Sequence, residues 1–123
     1  MPKTPSDGLR DDLLIAPEDI RRLLEQGRTV TVVDSRGSAA FSRSGERVEG
    51  DLRVLGSKGV PEIVDRLSRH AWILAYCTCL NDGLAIRVAE RLREEGFPKA
   101  FAVEGGLAGC AEAGLHVVPK PAC

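Results

Sequence analysis

Two cysteines one residue apart close an apolar run in ILAYCTCLNDGLAIRVAERL, residues 73–92. A polar turn follows, and then an amphipathic helical pattern. Cys77 and Cys79 have three possible chemistries: a reactive thiol, half of a metal site, or two small core residues. The loop Thr78, Cys79, Leu80, Asn81, Asp82 and Gly83 leads straight into a helix start. Orphan N–H groups at that start point back at the loop, and the helix dipole favours negative charge there. A cysteine held over such a cradle ionises more easily, and thiolate is the nucleophile. The same amides can hold a dianion or the outer sulfur of a persulfide. Strand, cysteine loop and helix together are a physical recipe for nucleophilic sulfur chemistry.

A structural zinc site needs four ligands, as a rule in two close pairs. Only Cys77 and Cys79 form a pair; Cys110, Cys123, His70 and His116 stand apart. No metal and no cofactor is expected. The two histidines read as solvated surface residues, Cys110 as core filling and Cys123 as a terminal thiol.

The elements that must position this loop are legible as alternating strands and helices. Residues 1–12, polar and carrying two prolines, read as a flexible arm rather than a signal peptide. APEDIRRLLEQG places Pro17, Glu18 and Asp19 in a first helical turn, with Ile20, Leu23 and Leu24 on one face and Gly27 at the end. Ala16 stands where a polar cap would be expected. TVTVVD, residues 29–34, is a buried strand ending at Asp34. One helical turn is expected near Ala39–Ser42 and a short edge strand at LRVLG. VPEIVDRLSRH repeats the helix-start chemistry and predicts a helix from Pro61.

AWILAY, residues 71–76, is a second continuous apolar strand. Leu84, Val88 and Leu92, with Ala85 and Ala89 beside them, predict a helix that Gly96 stops. KAFAV is a third strand, followed by Glu104, Gly105 and Gly106, and GGLAGCAEAG closes with a short helix. Trp72 and Phe97 read as core, and Tyr76 as partly at the wall of the site. Continuous apolar strands alternating with helices argue for an α/β fold: a central parallel sheet of about four to five strands, with helices on both faces. Ligands bind such sheets at the carboxyl ends of the strands. Asp34 with Arg36, Cys77, and Glu104 with Gly105 should therefore converge on one edge.

The 123-residue chain is 43% hydrophobic and 28% charged, with a formal net charge of −1. These values fit one ordinary globular domain over residues 13–120. Interspersed charge offers no footprint for nucleic acid or a membrane. No run approaches the roughly 18 apolar residues of a membrane span. The cytoplasm is the expected location, and the four cysteines are expected as thiols.

Six segments, in order, resemble the rhodanese-like family. IAPEDIRRLLEQG is similar to its opening helix, and VVDSRG to its Asp-x-Arg segment. AAF is similar to the aromatic position that follows, and RVEGDLRV to its Ile-Pro-Gly-Ala stretch. YCTCLNDGLAIRVAERLREEGF is similar to its active-site loop and helix, and VEGGLAGCAEAGLHVV to its closing Glu-Gly-Gly-Leu segment. The resemblance covers roughly residues 14–119 and implies a sulfurtransferase or persulfide carrier. A cysteine takes sulfane sulfur from a small donor such as thiosulfate and passes it to a thiol acceptor or acceptor protein.

Cys77 matches the catalytic cysteine by its place directly after the strand, and the resemblance makes it the expected nucleophile and sulfur carrier. Counted back from Gly96-Phe97, Cys79 matches the shorter form of the loop. The Cys-x-Cys form resembles a family variant in which Cys-Pro-Asn-Glu follows the first two loop positions; here Leu80 replaces proline and Asp82 replaces glutamate. A second thiol two residues away could resolve a persulfide on the first. Asp34, Arg36, Arg47, Glu104 and Gly105 take supporting positions.

Three departures stand out. No Lys or Arg occurs from 78 to 86, where thiosulfate-using loops carry an arginine, so Arg36, Arg43 or Arg47 would have to reach in from other loops. Glu49 and Asp51 replace the usual proline and alanine. Cys110 replaces a common tryptophan. The alternative readings are a catalytically weak binding or regulatory module on the same fold, and a cysteine phosphatase or arsenate reductase.

Overall fold

The computed structural model describes residues 11–78 and 82–120 of the chain. Its centre is a five-stranded, wholly parallel sheet. In chain order the elements are β1 (Leu14–Ile15), α1 (Pro17–Glu25), β2 (Val30–Asp34), α2 (Ser38–Arg43), β3 (Glu46–Val48) and β4 (Leu52–Arg53). After these come β5 (Trp72–Tyr76), α3 (Gly83–Glu94), β6 (Ala100–Val103), α4 (Gly106–Glu112) and β7 (Val117–Pro119). The sheet order is β1-β6-β5-β2-β4, and β3 pairs with β7 in a separate antiparallel ribbon.

The expected α/β class is what forms. β2, β5 and β6 are the three apolar runs, and both of their faces are covered, which is why they read as continuous rather than alternating. Along β5 the side chains divide by the two-residue period of a strand. Ile73 and Ala75 enter one core with Ala85, Val88, Ala89 and Leu92 of α3. Leu74 and Tyr76 enter the other with Ile20 and Leu23 of α1 and Cys110 of α4.

Helix ends follow local chemistry. Pro17 opens α1 behind Ala16, which supplies no side-chain cap. Gly27 (φ 72°) and Gly96 (φ 100°) take the left-handed position just past α1 and α3, where a Cβ would be strained.

One expected helix does not form. The helix predicted from Pro61 is instead two 3₁₀ segments, Ser57–Glu62 and Val64–Arg66. Pro61 lies inside the first and has no N–H to continue an α-helical ladder. The turns close by short bonds, Ile63 N–H to Val60 O at 3.0 Å and Arg66 N–H to Ile63 O at 2.9 Å. Val60 and Ile63 still reach the core, so the apolar spacing anchors the segment without an α-helix.

Candidate functional site

The carboxyl ends of β2, β5 and β6 lie side by side, because Asp34 pairs with Tyr76 and Ala75 with Ala102. Ser35 fastens the first two: its N–H (2.8 Å) and its Oγ (2.7 Å) both donate to the Tyr76 carbonyl. The loop 77–82 therefore leaves from a fixed point.

Cys77 continues the β5 alternation. It is fully buried, in the core that α3 covers, with Ile73, Ala75 and Ala85. Thr78 is exposed. Cys79, Leu80 and Asn81 lie outside the described residues. The helix begins at Gly83, as its sequence predicts, and Asp82 precedes it in the left-handed conformation (φ 56°, ψ 29°). In that geometry the Asp82 side chain does not cap its own helix. Its Oδ2 accepts instead from the Gly105 N–H at 3.1 Å, joining the end of the loop to the β6–α4 turn. Burial raises the Asp82 pKa, the Gly105 bond lowers it, and Glu104 raises it further, for a net rise.

Gly105 and Gly106 both have positive φ (88° and 61°). At Gly106 even a favourable φ would not admit a side chain, since a Cβ would stand 1.9 Å from the Cys77 carbonyl oxygen. The two backbones touch there. The segment carrying Cys77 is thus seated on the β6–α4 turn at one end and pinned to it by Asp82 at the other.

Under the site runs a buried polar network. Arg36 Nε and Nη2 donate to Asp34 Oδ1 (3.0 Å) and Oδ2 (2.8 Å), and the Arg36 backbone N–H also donates to Oδ1 at 3.0 Å. The guanidinium lies against the rings of Phe41 and Tyr76, 5.3 Å from each centroid. Burial works to lower its pKa, but the hydrogen bond and charge of Asp34 outweigh that and the net shift is upward. Arg53 Nη1 donates to the Asp34 carbonyl at 3.2 Å.

Tyr76 is fully buried, not at the wall of the site as its position suggested. Its hydroxyl donates to Asp51 Oδ2 at 2.6 Å and accepts from the Val48 N–H at 3.3 Å. Arg47 Nη2 donates to Asp51 Oδ1 at 2.5 Å. Burial first, and then the Asp51 hydrogen bond, push the Tyr76 phenol far above its ordinary range. Arg36 and Arg47 are therefore engaged by carboxylates of this network, and Arg43 is exposed at the end of α2.

Glu104 is half-buried beside Gly105, in a shallow cleft with Glu18, Arg21 and Glu112. Among the described residues no three His, Cys, Asp or Glu side chains gather as metal ligands. Sequence reasoning missed Asp51 and Tyr76 as partners, although Asp51 was marked as a departure at its position. It also missed a cavity of about 230 Å³ between α2 and α3, bounded by Ser35, Gly37, Ser38, Leu55 and Leu84. No local signal announces that cavity, because its walls come from three separate segments.

No family model matches the sequence, and no curated protein matches it. Solved structures do share its architecture. A full-length protein from Lactobacillus plantarum superposes with a TM-score of 0.69 at 18% identity, over 89% of each chain. A rhodanese-like domain from an Anabaena sp. protein gives a TM-score of 0.65 at 20% identity, over 86% of this chain and 78% of that one. Thiosulfate sulfurtransferase from Pseudomonas aeruginosa gives 0.61 at 27% identity, over 85% of this chain but 19% of the larger enzyme. At these identities the likeness establishes the fold. Among the described residues no helix is long and apolar enough to cross a membrane.

Proposed function

We propose that this chain, which has the fold of rhodanese-like domains, carries sulfane sulfur on a cysteine of the loop 77–82. The observation that carries the reading is the seat of that loop: it leaves β5 at the carboxyl edge of the parallel sheet and ends at the first turn of α3. The start of a helix favours negative charge. A cysteine thiolate attacks the outer sulfur of a donor, the donor's sulfur–sulfur bond breaks, and the remainder leaves with the electron pair. The cysteine becomes a persulfide. An acceptor thiolate then attacks the outer persulfide sulfur and restores the cysteine thiolate. No net oxidant is needed.

Cys77 and Cys79 share the candidate role. A donor cannot meet the Cys77 thiol in this conformation, since that residue is fully buried. We therefore assign the attack to Cys79 in place of the expected Cys77, and leave Cys77 as the neighbouring thiol. Asp34, Arg36 and Arg47 hold the floor, and the Gly105 N–H holds Asp82 at the loop's far end, with Glu104 beside them.

The burial of Cys77 also favours a second reading, a binding or regulatory module on the same fold. Incubation with thiosulfate, an organic persulfide and inorganic polysulfide, followed by intact-mass measurement, separates the two. Sulfur transfer predicts an adduct of one sulfur atom, about 32 Da, lost in Cys79→Ala and diminished in Cys77→Ala. An adduct surviving in Cys79→Ala and lost in Cys77→Ala moves the nucleophile to Cys77. No adduct with any donor removes the transfer reading and leaves the binding module.

A further inference from the structure

We propose that the cavity between α2 and α3 is a binding site for a small organic monoanion, a carboxylate on a short apolar body. The site goes beyond the sulfur-transfer reading. It stands on residues outside the cysteine loop, so it holds whether or not a cysteine carries sulfur. Its walls divide into a cationic floor and an apolar rim.

The floor carries a positive charge that is only partly answered. Arg36 lines the cavity, and its side chain has no exposed surface. Asp34 takes its Nε and Nη2 side by side. Nη1 therefore lies on the edge of the guanidinium turned away from Asp34, and it has no acceptor among the described residues. A buried charged group with an unmet N–H is costly, and an anion in the adjoining space removes that cost. The network behind Arg36 adds to the field. Asp34 also faces Arg53 at 3.7 Å, and Asp51 is held by Arg47. Three guanidinium groups thus meet two carboxylates, which leaves one positive charge. Among the described residues lining the cavity none is acidic.

The walls favour the same sign. α3 is twelve residues long, and Leu84 of its first turn stands on the cavity wall. The start of a helix favours negative charge. The Asp82 side chain does not cap that start and accepts from Gly105 instead. Ser38, exposed on the opposite wall, brings a hydroxyl that can donate to a carboxylate.

The rim receives the apolar body. Leu55 is 67% exposed and Leu84 is half-buried. Gly37 and Gly56 put no side chain into the space beside them, and a Cβ on Gly37 would already lie 3.7 Å from Leu84 Cδ1. A volume of about 230 Å³ admits a single ring bearing one carboxylate, below the usual size of a drug-sized site. One net charge on the floor is matched by one on the ligand. Nη1 is itself buried, so it meets the carboxylate by a small tilt of the guanidinium, while Ser38 donates from the rim.

The test titrates the intact protein with benzoate and with benzyl alcohol, a neutral molecule of similar size, and follows backbone amides and the Arg36 Nε–H by NMR. Benzoate should give saturable shifts at Gly37, Ser38, Gly56, Leu84 and the Arg36 Nε–H. Benzyl alcohol should bind roughly tenfold more weakly, the scale of a hydrogen bond to a charged group. Leu55→Asp sets a negative charge at the rim and should weaken benzoate by roughly tenfold as well. Leu24→Asp, on an exposed leucine of α1, is the control and should leave benzoate binding unchanged. Leu55 is solvent-exposed, so its variant should fold, and an unchanged thermal midpoint confirms it. No saturable benzoate binding at millimolar concentration overturns the site. So do equal affinities for the two probes, shifts centred away from the cavity, or equal losses in Leu55→Asp and Leu24→Asp. Each of these outcomes leaves sulfur loading, a separate measurement, untouched.

Discussion

The Tyr76 hydroxyl donates to Asp51 Oδ2 at 2.6 Å, joining the end of β5 to the turn between β3 and β4. Arg47 holds the other oxygen of the same carboxylate at 2.5 Å. The acidic residue that departs from the expected stretch is therefore matched by a phenol and a guanidinium. Tyr76 in turn accepts the Val48 N–H and stands 3.5 Å from Arg36 Nη2, so one hydroxyl connects the two buried carboxylates.

Removal of that hydroxyl leaves a buried carboxylate with one donor fewer. Tyr76→Phe should destabilise the fold by about 1–3 kcal/mol, the cost of an unmet buried polar group. Asp51→Asn should cost a similar amount, and the double variant less than the sum, with a coupling of about 0.5–3 kcal/mol. Urea unfolding of the four proteins measures the cycle. Strict additivity would show that the contact carries no energy.

Gly106 is where the Cys77 backbone rests. Gly106→Ala places a Cβ 1.9 Å from the Cys77 carbonyl oxygen, against backbone that cannot rotate away. The loss should exceed about 3 kcal/mol, among the largest single-residue effects. Gly45→Ala is the control, since its Cβ would meet nothing within 4 Å. Comparable thermal midpoints for the two variants would refute the close packing.

Asp82 separates a conformational role from a charged one. Its folded pKa is raised above the ordinary carboxylate value, so the folded state holds the proton more tightly than the unfolded chain. The associated stability is present below about pH 4 and lost as pH rises through the folded value. Asp82→Asn cannot ionise, still accepts from Gly105, and tolerates the left-handed backbone. It should match or exceed wild type at pH 7 and lose that advantage toward pH 3. Asp82→Ala should lose roughly 1–2 kcal/mol at pH 7 from strain at φ 56°. Melting curves from pH 3 to 7 test both signs; Asp82→Asn markedly weaker than wild type at pH 7 would contradict them.

Cys110 fills the core on the α1–α4 side, and burial pushes its thiol up to about 12. A raised folded pKa gives stability that is complete below the unfolded thiol value, near 8.5, and falls as pH climbs toward 12. Wild type should lose stability relative to Cys110→Ala across that alkaline window, while Cys110→Ala should be less stable at pH 7 from the lost packing. Parallel pH profiles for the two proteins would refute the buried thiol.

Much of this arrangement was legible in the sequence because it is local. TVTVVD and AWILAY are apolar for as long as a buried strand needs, and Leu84, Val88 and Leu92 mark one helical face. The Asp34–Arg36 pair is two residues apart and could be named from that spacing. The unread parts depend on distant partners. β1 has two residues and exists because β6 pairs with it. β3 and β7 lie about seventy residues apart in sequence and define each other. Asp51 finds Tyr76 across 25 positions. The segment after Gly56 misled because Val60 and Ile63 stand three residues apart, a spacing that suits a 3₁₀ turn as well as an α-helix, and Pro61 lies inside the first 3₁₀ segment instead of opening a helix. The burial of Cys77, one of three readings the sequence leaves open, follows from the strand period, because the β5 alternation continues one residue past Tyr76.

The most direct test of the central claim is the location of sulfur after a brief exposure of the intact, native protein to a sulfane-sulfur donor. Trypsin releases residues 70–87 as one peptide holding both Cys77 and Cys79. Sulfur transfer predicts one added sulfur, about 32 Da, on that peptide, transferable to an added thiol and absent when both cysteines are replaced by alanine. Native protein whose 70–87 peptide stays unmodified by every donor would contradict it.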